Sequence, residues 1–307
     1  MEKSAVDGLI GNTPLVRLTE IEKAFGLQAK LYAKVERTNP GGSIKDRVAK
    51  AIIDDAERTG RLQAGGTIIE ATSGNTGVGL AMIAAARGYK AMIVMPETMS
   101  VERRKLIAAY GAEIVLTDGA KGMQGSKERA EELAKIIPNS ILAGQFDNPV
   151  CAEVHYRTTG PEIWSQTEGK TDVFVAGVGC GGTITGVGRY LKKQNPSVRV
   201  AAVEPASSPL LSKGVAGSHG IQGIGANFLP AILDTTIYDE VITVTDEEAI
   251  ATARLLAKCE GLFVGISSGA AVAACILLAK RKENSGKNVV TVLPDDGGRY
   301  LSTALFE

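Results

Sequence analysis

Thr67-Ile68-Ile69-Glu70-Ala71-Thr72-Ser73-Gly74-Asn75-Thr76-Gly77 runs from a β-branched stretch through a small polar turn into an apolar helical pattern. The spacing predicts a strand over 67–71 and a helix over 75–86. Three hydroxyls, one amide and the N–H groups of a helix start converge at the turn between them. That makes a neutral anion site, and a substrate carboxylate fits it. The plainer reading of the same residues is an ordinary Ser/Thr/Asn cap.

The same strand-turn-helix rhythm holds along the chain. Further strands are predicted at 29–35, 90–95, 113–117, 172–176, 198–203 and 288–293. Further helices are predicted at 43–58, 100–110, 122–136, 183–194, 246–259 and 268–279. Several strands are apolar on both faces, as strands sandwiched between helices must be. Alternation of this kind predicts an α/β fold with mainly parallel sheets. The least patterned region, 204–239, reads as a long functional loop or lobe rim. At 307 residues the chain exceeds one ordinary core, so two lobes of about 150 residues are expected. The boundary is expected at 147/148, with about 13–35 crossing to the second lobe.

Asn39-Pro40-Gly41-Gly42-Ser43-Ile44-Lys45-Asp46-Arg47 is a Pro-Gly-Gly turn entering a helix that Ser43 opens. Lys45 then lies in the first turn, near the positive end of the macrodipole. An ammonium is disfavoured there, which lowers the amine pKa and helps make a nucleophile. Most lysines are merely solvated surface charges.

Gly177-Val178-Gly179-Cys180-Gly181-Gly182-Thr183 also follows a strand and opens a helix. It fits G-x-G-x-x-G with Glu204 at the end of the next strand, so a dinucleotide-binding oxidoreductase is one reading. Physically the turn supports a phosphate cradle of backbone N–H groups, with Thr183 and Thr185 adding hydroxyls. No Lys or Arg lies within it, so backbone dipoles would do most of the holding. In Gly265-Ile266-Ser267-Ser268-Gly269 either serine is a candidate cap for the following helix.

An activated lysine, a phosphate cradle, a carboxylate site and a lone hydroxyl at a helix start point together to pyridoxal phosphate. NPGGSIKDR, TSGNTG, GVGCGGTITG and GISSGA, in this order, resemble the cysteine synthase (O-acetylserine sulfhydrylase)/cystathionine β-synthase family of fold-type II pyridoxal-phosphate enzymes. The resemblance runs from GNTPLVRL near the start to GRYLST near the finish. It implies a tryptophan synthase β-like fold of two lobes, each a twisted, mainly parallel sheet flanked by helices. It also implies that Lys45 forms the Schiff base and later acts as acid/base, and that Asn75 contacts the ring oxygen. Gly179, Cys180, Gly181, Gly182 and Thr183 would hold the phosphate, with Ser267 facing the pyridine nitrogen. Thr72, Ser73, Thr76 and Gln145 would bind the α-carboxylate, and Gly225 lies in a stretch, 221–226, that resembles the family's active-site loop.

The neutral hydroxyl of Ser267 cannot keep the pyridine nitrogen protonated as an Asp would, so a long-lived carbanion is disfavoured. Expulsion of a β-leaving group remains easy. The expected reaction is β-replacement of O-acetyl-L-serine by sulfide to give L-cysteine, through an aminoacrylate. Condensation of serine or O-acetylserine with homocysteine, or desulfhydration of cysteine, is the alternative. Cys180 stands where the family usually has Thr, and a thiol is the weaker donor. Asn227 replaces a glycine that commonly follows Ala226. Gly41-Gly42 and Leu293-Pro294-Asp295 resemble the cystathionine β-synthase branch, whereas Gly223-Ile224-Gly225-Ala226 and Lys121-Gly122-Met123 resemble the cysteine synthase branch.

The resemblance also implies a homodimer and a possible partner in serine acetyltransferase; a silent scaffold for that partner is a non-enzyme reading, against which Lys45 and Asn75 argue. Apolar residues make up 44% of the chain and charged residues 22%, with a formal net charge of zero. Nothing in that balance favours nucleic acid or a membrane surface. The opening residues show no export signal, and the uncharged run 261–279 is broken by Gly265, Ser267, Ser268 and Gly269 and reads as a turn feeding a buried helix. Four cysteines without C-x-x-C pairing and only two histidines, His155 and His219, indicate no metal, and a reducing cytoplasm is the expected compartment. The mixed-charge run 127–135 reads as a solvated helix face.

Overall fold

The computed structural model describes residues 4–306. Two compact units are present. One holds Asn39–Val150 together with the segment that ends at Ile10, and the other holds Gly11–Thr38 and the chain from Cys151 onward.

In chain order the first elements are β1 (Leu15–Arg17), α1 (Thr19–Ala24), β2 (Lys30–Val35), α2 (Lys45–Arg58), β3 (Thr67–Ala71) and α3 (Asn75–Arg87). Next come β4 (Lys90–Pro96), α4 (Val101–Ala109), β5 (Glu113–Thr117), α5 (Gly122–Ile136) and β6 (Ser140–Leu142). Then follow α6 (Val150–Val154), α7 (Gly160–Gln166), β7 (Val173–Gly177), α8 (Gly182–Gln194), β8 (Arg199–Pro205) and α9 (Leu210–Lys213). The last are β9 (Glu240–Val244), α10 (Asp246–Leu255), α11 (Ile266–Ala279) and β10 (Asn288–Leu293).

In the first unit β5-β4-β3-β6 form a parallel sheet. Ile68 and Ile69 on β3 and Ile93, Val94 and Met95 on β4 are closed off from solvent. Each such side chain contributes about 1.5–3 kcal/mol by leaving water. On one face α5 lays Ala130 and Leu133 against Ile69 and Val94. Val48, Ala49, Ile52, Ile53 and Ala56 make a buried stripe along α2, at the three-to-four spacing an amphipathic helix requires. Arg87 at the end of α3 pairs with Asp7, Asp54 and Glu57. That cluster ties the 3₁₀ turn Ala5–Leu9 to α2 and α3.

In the second unit the order is β1-β2-β10-β7-β8-β9. The strands are parallel except β1, which is antiparallel to β2. Val173, Val175, Ala201, Val203, Val289 and Leu293 share a core with α11. That helix is 14 residues long and buried along nearly its whole length, as a helix apolar on every side must be. Among the described residues no helix is long and apolar enough to cross a membrane.

Several boundaries depart from the sequence-based expectation. The helix predicted from 43 begins at Lys45, because Asp46 and Arg47 first close tight turns onto the Ser43 and Ile44 carbonyls. The one predicted over 246–259 is α-helical to Leu255, then widens into a π-turn, Leu256–Glu260, that ends at left-handed Gly261. The one predicted from 268 begins at Ile266, and Gly265 is its N-cap. Strands β1, β6 and β9 were not anticipated. Residues 204–239 are mostly irregular, with only the short helix α9 inside them.

Candidate active site

Lys45 is the first residue of α2 and is half-buried. The preceding turn folds back onto the helix start. Gly42 N–H donates to the Asn39 carbonyl at 2.8 Å, Gly41 N–H to Asp46 Oδ2 at 2.6 Å, and Lys45 N–H to Ser43 Oγ at 3.2 Å. Asp46, fully buried, places its carboxylate where the helix dipole favours an anion. Ser43 is therefore part of the lysine's setting, though not the formal cap.

In the same unit, the turn after β3 is held by its own side chains. Gly74 is the N-cap of α3 and receives no side-chain cap, so the cap reading of this motif does not apply. Thr72 Oγ1, buried, accepts the Gly74 N–H at 3.2 Å. Arg103 Nη1 reaches the Ser73 carbonyl at 3.2 Å. Asn75 occupies the first helical position. One turn on, Thr76 Oγ1 donates to Gln145 Oε1 at 2.6 Å, and both residues are buried. Thr72, Ser73, Thr76 and Gln145 thus form one cluster around the N-terminus of α3. Beneath it, Glu70 receives N–H bonds from Gly144 at 2.8 Å and Gln145 at 3.3 Å. Sequence reasoning passed over Glu70; its signal was an acid in the middle of a buried strand.

In the second unit, Gly177–Thr183 turns from β7 into α8. Gly181 is the N-cap at φ +83°, and no side chain caps it. The first N–H groups of a helix have no intrahelical acceptor, so a phosphate is a natural partner there. A Cβ on Gly179 would lie 2.4 Å from the Gly223 carbonyl oxygen, and one on Gly181 2.7 Å from Leu233 Cβ. Both positions are packed against neighbouring chain on the side a Cβ would take, so only glycine lets the turn keep this path. The donor set fits the 5′-phosphate of pyridoxal phosphate, with backbone dipoles in place of cationic side chains.

Thr183 lies on the first turn of α8, its Oγ1 3.4 Å from Nε2 of His155. His155 is fully buried, with Nδ1 2.9 Å from Thr159 Oγ1, so it supports the turn from behind. Thr185 does not join the cradle: it is fully buried and its Oγ1 accepts the Asp234 N–H at 3.0 Å. Cys180 is buried. Gly225 N–H donates to the Val178 carbonyl at 3.0 Å, and His219 Nε2 donates to the Gly225 carbonyl at 2.8 Å, which pins 219–225 to the glycine turn. Ser267 is buried at the start of α11, and the Cβ that Gly223 lacks would come 3.4 Å from its Oγ. Neither serine caps that helix; Ser268 Oγ is buried and finds no partner.

The dinucleotide reading loses ground on this geometry. Glu204, which a dinucleotide reading assigns to a ribose, instead accepts from Leu211 N, Ser212 N and Ser212 Oγ. Both its oxygens thus cap α9. Cys275 is no nucleophile, because burial pushes its thiol up to about 12, the hydrogen bond with Thr291 notwithstanding. Asn227, where the resemblance led to a glycine, adopts a left-handed φ of +63°. Asn tolerates that region better than most residues. Its Oδ1 accepts from the buried Ser208 Oγ at 2.7 Å.

The model of the pyridoxal-phosphate dependent enzyme family matches residues 6–295. Cysteine synthase A of Escherichia coli K12 is 52% identical, the match covering 97% of this chain and 93% of that protein. Cysteine synthase of Staphylococcus aureus Mu50 is also 52% identical, over 100% of this chain and 99% of that one. The crystal structure of O-acetyl serine sulfhydrylase isoform 3 from Entamoeba histolytica superposes with a TM-score of 0.95 at 45% identity, covering 100% of this chain and 92% of that one. Cradle, lysine and hydroxyl turn together with these matches place the chain in the family of pyridoxal-phosphate-dependent enzymes.

Proposed function

We propose that the chain makes L-cysteine and acetate from O-acetyl-L-serine and sulfide. The observation that carries the reaction type is Ser267, a buried neutral hydroxyl at the start of α11. Strong identity to cysteine synthases supports the choice of substrates.

Bound pyridoxal phosphate withdraws electrons from the amino acid's Cα, so that a β-acetoxy group can leave and a sulfur nucleophile can add. The chain's own groups do the rest. Lys45 Nζ would hold the cofactor through its aldehyde, and the same amine would take the α-proton and later return it to Cα. Asn75 would hydrogen-bond the ring oxygen, and Ser267 would face the ring nitrogen as a neutral hydroxyl that does not protonate it. Gly179, Cys180, Gly181, Gly182 and Thr183 hold the phosphate through N–H groups and a hydroxyl. Thr72, Ser73, Thr76 and Gln145, with the backbone at Gly225, orient the substrate carboxylate. The working protein is a homodimer in the cytoplasm, able to dock the tail of serine acetyltransferase.

Steady-state kinetics on the purified holoenzyme test the reading, comparing sulfide with homocysteine on both O-acetylserine and serine. The expected result is the highest kcat/KM for sulfide with O-acetylserine. A preference for homocysteine, or transamination as the main activity, contradicts it.

A further inference from the structure

We infer that Glu70 is a positioning residue: its ionised carboxylate holds the Gly144 and Gln145 amides so that Gln145 and Thr76 face the substrate carboxylate, and protonation releases that hold. The inference rests on the reading above that Gln145 and Thr76 bind the substrate.

The geometry is a chain of three hydrogen bonds. Glu70, 5% exposed on β3, accepts Gly144 N–H on Oε2 at 2.8 Å and Gln145 N–H on Oε1 at 3.3 Å. Gln145 Oε1 in turn accepts from Thr76 Oγ1 at 2.6 Å. One carboxylate therefore sets the turn after β6, and that turn sets the amide opposite the N-terminus of α3. A purely structural anchor has no need of charge, since burying a carboxylate without a cation costs more than burying an amide.

The surroundings leave this acid on its own. Its partner across the strands is Ile93 of β4, and β6 on the other side is Ser-Ile-Leu. The charge acting on it is that of Asp147, a like charge on the same turn. Helix α3 carries no ionisable side chain before Arg87, which is engaged by Asp7, Asp54 and Glu57. Helix α5 meets the strand's other face through Ala130 and Leu133, its ionisable side chains lying away from that seam. Burial raises the carboxyl, the two backbone N–H bonds lower it, Asp147 raises it again and a hydrogen bond from the Gln145 side chain lowers it, leaving it at about 7. Both states are thus populated near neutrality. Ionised, each oxygen accepts one N–H; protonated, one oxygen becomes a hydroxyl and one amide loses its strong acceptor.

The test follows two readouts in the holoenzyme between pH 6 and 8.5. The amide resonances of Gly144 and Gln145 titrate together near pH 7 in the wild type and do not in Glu70→Gln. KM for O-acetylserine rises about tenfold from pH 8 to pH 6 in the wild type, as expected for one charge-assisted hydrogen bond, while in E70Q it is raised at all pH values and lacks that step. A role in stability alone would leave the KM step intact in E70Q, and that result overturns the inference. So do wild-type Gly144 and Gln145 amides that fail to titrate together near pH 7, which decides the matter even if E70Q does not fold. If the wild type makes no cysteine from O-acetylserine, the functional reading fails by itself; the amides and the pH dependence of L-serine affinity then report on Glu70.

Discussion

The turns at 72–76 and 177–183 hold the same place in their units, after a buried parallel strand and before a helix, yet they are built from different materials. The second is mostly backbone: Gly179 and Gly181 sit where only glycine fits, Gly181 takes a left-handed φ, and the one side chain offered is the Thr183 hydroxyl, backed by buried His155. The first is side chains: Thr72 on Gly74, Thr76 on Gln145, and Gln145 resting on the carboxylate of Glu70. A backbone cradle has no proton to lose and fails when the turn is forced off its path. A side-chain cluster tolerates small additions but answers to pH. A phosphate that stays bound suits the backbone cradle, and a substrate that comes and goes suits the side-chain cluster.

Substitutions separate the two. Lys45→Ala should lower kcat for cysteine formation by about a thousandfold or more, from lost proton transfer together with lost covalent attachment. The stopped-time assay of cysteine reads it, and both turns should keep their backbone geometry. Gly179→Ala should follow, since its Cβ would meet the Gly223 carbonyl at 2.4 Å. The turn must then draw away from that carbonyl, which displaces the cradle's N–H groups, so dialysis against equimolar cofactor should leave under a tenth of sites filled, judged by visible absorbance. Activity with saturating cofactor should recover only in part.

The next effect concerns stability and pH. Glu70 has its folded-state carboxyl raised to about 7 from an unfolded value of 4.5. Its contribution is therefore fully present below 4.5 and is lost as pH rises through 7. The loss amounts to at most about 3 kcal/mol. Relative to wild type, Glu70→Gln should gain in urea-unfolding stability as pH goes from 5 to 8, whatever the offset between them at pH 5. A difference that stays flat with pH would mean that Glu70 is not the buried acid described. The smallest effect is expected at Cys180→Thr. Exchanging a thiol for a hydroxyl donor should tighten cofactor binding by a few fold, about 1 kcal/mol or less, measured by fluorescence titration.

Much of this molecule is legible in sequence where punctuation is sharp. The strand at Thr67–Ala71 and the helix start at Asn75 appear where β-branched residues give way to Thr-Ser-Gly. Strands β1 and β6 escaped notice because three residues are too few to show a period of two. Strand β9, Glu-Val-Ile-Thr-Val, is β-branched and readable in principle, but it follows thirty-odd irregular positions that drew attention away. The hydroxyls of Ser267 and Ser268 suggested caps, yet helix α11 reaches back to Gly265 as its N-cap and takes both serines inside. What no local pattern carries is long-range pairing. Glu70 meets a turn 74 residues further on, and Asn227 finds Ser208 across a loop. An acid within Ile-Ile-Glu-Ala looks like an exposed strand residue until its face is seen to be buried.

Borohydride reduction shows whether Lys45 carries the cofactor. The purified holoenzyme is reduced, digested and mapped by mass spectrometry. The expected result is a yellow protein whose visible band disappears on reduction, with the pyridoxyl-phosphate mass confined to the peptide containing Lys45. A modified peptide carrying another lysine, such as the buried Lys34 beside Glu162, or no adduct at saturating cofactor, would contradict it.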